Sequence, residues 1–98
     1  MGSEPVSNRH YLVEWYDASL TNAPLAETAA GLEAGAATVT AAGDTVRLEL
    51  TLAAPSDEVI YSVFSADCAD AVLRACQHAG RPPDRITTDV RTHLSADQ

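Results

Sequence analysis

The sequence predicts an α+β sandwich with the element order β-α-β-β-α-β. Three observations carry this. Residues 46–52 alternate Leu or Val with polar residues, the period of a half-buried strand. Residues 59–64 are an apolar, β-branched and aromatic run that feeds a helical segment ending at Gly80. A strand-like run at 10–16, followed by apolar residues at helical spacing, repeats that order in the first half.

The first strand, His10–Tyr16, stops at Asp17 and puts Tyr11, Val13 and Trp15 on one face and His10, Leu12, Glu14 and Tyr16 on the other. In the first helix, Thr21 or Asn22 is the expected N-cap and Pro24 falls in the first turn. Leu25, Ala29, Leu32 and Ala36 form its apolar stripe; Gly31 weakens it, and Gly35 is expected to end it or fray its last turn. The second strand, Thr45–Ala53, places Val46, Leu48, Leu50 and Leu52 opposite Arg47, Glu49 and Thr51, and residues 54–58 form the hairpin turn.

The third strand, Val59–Phe64, is apolar on both faces and therefore central. The second helix is expected to start at Ser65 or Asp67, with a stripe of Ala69, Val72, Leu73, Cys76 and Ala79, and to end at Gly80 before Pro82 and Pro83. The fourth strand, Arg85–Leu94, sets Ile86, Val90 and Leu94 against Thr87, Asp89, Arg91 and His93. This order is the ferredoxin-like split β-α-β unit. Right-handed crossovers bring both helices to one sheet face, with an expected strand order of 4-1-3-2. The chain reads as a flexible leader over residues 1–9, one domain over 10–94 and a tail over 95–98.

With 98 residues, a domain of this size buries a modest share of its surface, and dimerisation is a common remedy. Two bare sheet faces meeting would form an α+β barrel. The net charge is −8, from 14 acids against 6 basic residues, all arginine. That balance repels nucleic acid and anionic membrane, so neither is an expected partner. No run reaches the ~20 apolar residues of a membrane span, and no secretory h-region opens the chain, so the expected compartment is the cytoplasm. Cys68 and Cys76 both fall on the second predicted helix, about 12 Å apart by helical rise, too far for a disulfide. They are read as small core residues.

Four short strings carry a resemblance: Tyr11-Leu12-Val13-Glu14, Ile60-Tyr61-Ser62-Val63-Phe64, Ala71-Val72, and Gly80-x-Pro82-x-Asp84-Arg85-Ile86. They resemble a small bacterial ferredoxin-like family of mostly unknown function. One of its branches is nickel-binding and dimeric. The resemblance implies the fold, a homodimer, and a small molecule or metal ion as ligand, with nickel or another divalent transition metal as the cofactor to consider. Leu48-Glu49-Leu50-Thr51-Leu52 stands where that branch carries a Trp-Val-His-Ser-Tyr run, and Ser62 stands where it carries Cys.

By alternation the bare face should hold Arg47, Glu49 and Thr51, then Thr87, Asp89, Arg91 and His93, with His10, Leu12, Glu14 and Tyr16 from the first strand. Glu14 stands out because a charge in mid-strand needs a partner. Opposite Arg91 it forms a cross-strand ion pair. A register shifted by two sets it against Asp89 and brings His10 to His93, and paired acids would raise a carboxyl pKa. His10, His93, Glu14 and Asp89 are the candidate metal ligands, imidazole and carboxylate suiting Ni, Zn or Fe. Glu14 and His93 are the candidate catalytic bases. Tyr16, Tyr61, Ser62 and Arg91 are the candidate ligand-binding residues. The chain has no Gly-rich phosphate loop, no CxxC and no nucleophile triad. Three functional readings follow: a ligand- or metal-binding dimer; a cofactor-free cyclase, isomerase or monooxygenase working in the barrel cavity; and a protein-interaction or regulatory module.

Overall fold

A computed structural model describes residues 9–93 and 95. The expected 1–9 leader (apart from Arg9), Leu94 and most of the 95–98 tail lie outside the described residues. The elements are β1 Arg9–Tyr16, α1 Ala18–Thr21, α2 Leu25–Ala41, β2 Val46–Ala54, a 3-10 turn Pro55–Asp57, β3 Val59–Ala66, α3 Ala69–His78 and β4 Arg85–Val90. The sheet is antiparallel with order β2-β3-β1-β4, as expected, and β3 and β1 are central.

Tyr11, Val13 and Trp15 of β1 are buried with Ile60, Phe64 and Ala66 of β3 and Val46 of β2. They pack against Leu32, Ala36 and Val39 of α2 and Ala71, Val72, Ala75 and Cys76 of α3 in one core. The other sheet face carries no helix among the described residues. Among the described residues, no helix is long and apolar enough to cross a membrane.

Helix boundaries depart from the sequence reading in three places. Thr21 ends the short helix α1 and Asn22 is its C-cap; Asp17 is its N-cap, accepting from the Ser19 and Leu20 amides. Gly35 does not end α2, which continues to Ala41. It is buried, and a Cβ there would run into the Ala75 carbonyl oxygen of α3. The glycine is a helix-packing surface, not a stop signal. The N-cap of α3 is Cys68, which is exposed and not in the core; Cys76 is buried as expected.

The end of α3 follows the sequence closely. Gly80 adopts φ +73°, open to glycine without a Cβ penalty. Its N–H donates to the Gln77 carbonyl, and the Arg81 N–H donates to the Cys76 carbonyl, both at 2.9 Å. These two bonds make a Schellman cap. The following turn is tied to β1 by three bonds. Trp15 Nε1–H donates to the Arg81 carbonyl (3.0 Å), the Asp84 N–H to the Glu14 carbonyl (3.0 Å), and the Tyr16 N–H to Asp84 Oδ2 (2.7 Å). The Gly80-x-Pro82-x-Asp84 string is thus a structural device that closes α3 and sets β4 beside β1.

Two β-bulges correct the strand reading. β2 has nine residues against the eight of β3, and the pairing slips between Leu48 and Leu50. Glu49 is the extra residue, and past it the pleat inverts. Leu50 and Leu52, expected against the helices, instead lie on the open face, 49% and 41% exposed. Thr51 and Ala53 take the helix side. In β4 the slip falls between the partners of Leu12 and His10, where Asp89 takes φ +60°. Val90 therefore pairs with His10 on the open face, and Arg91–His93 lie beyond the strand. Neither register considered for Glu14 occurs: its β4 partner is Arg85, not Arg91 or Asp89.

Candidate functional site: the open sheet face

The open face has an apolar middle and two polar ends. Leu12, Val63 and Leu50 lie side by side on β1, β3 and β2, and Tyr61 and Leu52 continue the patch. This is less polar than the alternation predicted, because the bulge at Glu49 turns two leucines outward.

One polar end holds Glu14, Tyr16 and Arg85. The Tyr16 hydroxyl donates to Glu14 Oε1 at 2.8 Å, and Arg85 Nε lies 3.9 Å from Glu14 Oε2. The bond to Glu14, with desolvation and the Glu14 charge, raises the Tyr16 phenol pKa above its ordinary value. Tyr61 lies across the strand pair from Glu14. Both Glu14 oxygens have partners, so the carboxylate acts here as a structural anchor.

The other end holds His10, Arg47, Glu49 and Ser65. Glu49 Oε2 accepts from the Ser65 hydroxyl (2.7 Å), from Arg47 Nη2 (3.0 Å) and from Arg47 Nε (3.2 Å). The Ser65 bond, aided by Arg47 and His10 and opposed by burial, holds the Glu49 carboxyl below its usual range. A half-open cleft of ≈ 340 Å³ at this end is lined by His10, Glu49, Leu50, Val63, Thr92 and His93.

The candidate residues therefore separate. His10 and His93 share this cleft. Glu14, Tyr16 and Tyr61 stand at the opposite end of the face. Asp89 and Arg91 line a neighbouring cleft of ≈ 400 Å³ with Arg9, His10, Val90 and Thr92. Ser62 points into the helix side, where it is buried and its hydroxyl lies 2.9 Å from that of Thr51. The four candidate metal ligands do not converge. Among the described residues, no group of three or more His, Cys, Asp or Glu side chains is gathered to hold a metal ion. As placed, the four candidate side chains do not form a nickel site within one chain.

Leu50 and Leu52 are the site residues that alternation misplaced, and Ser65 was read as a helix cap; Glu49 was placed on this face but given no role.

The chain is similar in structure to SCO4226 from Streptomyces coelicolor A3(2), known from a crystal structure. The two share 22% identity and a TM-score of 0.60, over 89% of this chain and 99% of that one. At that identity the likeness speaks for the fold. No protein-family model and no curated protein sequence matches the chain.

Proposed function

We propose that this protein is a small homodimer that binds a small molecule between two apposed open sheet faces. One observation carries the reading: Leu50 and Leu52, half exposed on the edge strand β2, form a contiguous apolar patch with Leu12, Tyr61 and Val63. Exposed apolar patches of this kind mark binding surfaces.

Charge favours a second copy as the occupant. The chain carries −8, yet the formal charges on the open face are Glu14 and Glu49 against Arg47 and Arg85, a sum of zero. Among the described residues, ten further acids lie outside this set, and their charge disfavours approach by other sides. A cofactor-free enzyme has less support, because Glu14 is held by Tyr16 and Arg85. An interaction module also has less, because away from the open face Leu25 is the large apolar residue left exposed among those described.

Sedimentation equilibrium tests the reading. The chain should run at twice its 10.3 kDa mass, and a Leu50→Glu/Leu52→Glu variant should run as a monomer with an unchanged far-UV circular dichroism spectrum. A wild-type chain that stays monomeric at high concentration would overturn it.

A further inference from the structure

We infer that the cleft at the His10 end of the open face takes a small organic carboxylate with an apolar body, its carboxylate held by the His10 and His93 imidazoles and its body by Leu50 and Val63. The inference deepens, and rests on, the ligand-binding reading above.

The size of the cleft, ≈ 340 Å³, falls in the range of small-molecule pockets, ~300–1,000 Å³. Its walls divide chemically. Leu50 and Val63 form an apolar floor continuous with the central patch. His10, Thr92 and His93 form the polar side. Each imidazole supplies at least one N–H donor, and the Thr92 hydroxyl another. Among the described residues no hydrogen bond engages the side chains of His10, Thr92 or His93, and all three line the cleft.

Glu49 is the one carboxylate on the cleft wall, and alone it would repel an anion. Its charge is already met. Oε2 accepts from Ser65 and twice from Arg47, and the Arg47 guanidinium lies 3.0 Å away. With Glu49 balanced by Arg47, the cleft wall has no net formal charge, and His10, His93 and Thr92 each offer a donor. A carboxylate, acceptor-only when ionised, gains charge-assisted bonds from the imidazoles. An amine would gain no net charge attraction there, because Arg47 already neutralises Glu49.

The test is a two-dimensional NMR titration of the full chain with sodium benzoate as probe and benzamide as the neutral isostere, with sedimentation run on the same samples. Benzoate should shift the amides of His10, Leu50, Val63 and His93 and bind about tenfold more tightly than benzamide, as expected for a charge-assisted contact. His93→Leu, beyond the strands, and His10→Leu should each weaken benzoate about tenfold and leave benzamide unchanged. Equal binding of benzoate and benzamide, shifts confined to other surfaces, or full binding by both variants would overturn the inference. A dimer that binds no benzoate overturns the carboxylate assignment and leaves the dimer reading standing. A monomer that binds benzoate through both histidines supports the assignment and overturns the dimer. A monomer that binds nothing overturns both.

Discussion

Two glycines in one helix should respond to the same mutation with opposite signs. Gly31 and Gly35 are one turn apart in α2. A Cβ at Gly31 meets nothing within 4 Å, whereas one at Gly35 falls inside the contact distance of the Ala75 carbonyl oxygen, with Ala75 C and Ala79 N at 3.2 Å. All three atoms are α3 backbone, so no side chain can rotate away. Each Gly→Ala change gains ~0.8–1 kcal/mol of helix propensity. Gly31→Ala should keep that gain and raise Tm by about 4–8 °C in a domain of this size. Gly35→Ala must push α3 off α2, and such overpacking costs ~1–3 kcal/mol or more. A backbone clash belongs at the upper end, leaving a net loss of about 2 kcal/mol and a Tm lower by roughly 8–16 °C. Far-UV circular dichroism melts and urea midpoints of the two variants measure the difference. If Gly35→Ala is as stable as wild type, α2 and α3 do not pack backbone to backbone and this account of the helix layer is wrong.

Thiol reactivity should split the cysteines. Burial pushes the Cys76 thiol up to about 12, whereas Cys68 is exposed at the start of α3. A disulfide reagent in mildly alkaline buffer should therefore titrate one thiol per native chain and two after unfolding; rapid reaction of both would contradict the burial of Cys76. Asp17→Ala should lower the urea midpoint at neutral pH, as the loss of an N-cap does. The Ser19 hydroxyl and the Leu20 amide lower the Asp17 pKa, so its contribution is present above the ordinary carboxyl value and is lost as pH falls through the depressed one. The stability gap between wild type and variant, followed by urea unfolding across acidic pH, should close toward low pH, and a gap that stays constant would refute the capping role.

The order of elements and the strand order were legible because their signals are local. Gly80 ends α3 as its position implies, and the split of β1 into Tyr11, Val13 and Trp15 against His10, Leu12, Glu14 and Tyr16 survives in the burial pattern. Pairing register was not legible. A period of two reads correctly only along an unbroken pleat, and the bulges at Glu49 and Asp89 each reverse the faces beyond them. The first sends Leu50 and Leu52 outward, and the second takes Val90 to the open face and Arg91 out of the strand. Gly35 shows the same limit in a helix. A glycine can stop a helix or admit a neighbour, and what decides is the backbone of α3, some forty residues away in sequence. Glu14 drew attention for a sound reason, a charge in mid-strand, but its partner Arg85 is set by the turn after α3, where the Asp84 N–H donates to the Glu14 carbonyl, and no strand period reveals that.

The apolar open face is the central claim, and isotope-filtered NMR on a mixture of labelled and unlabelled chains tests it most directly. Contacts between copies should connect the methyl groups of Leu12, Leu50, Leu52 and Val63 with the same patch on the second chain. Intermolecular contacts from the α2 or α3 surfaces instead, or none at the highest concentration at which the chain stays in solution, would contradict the account.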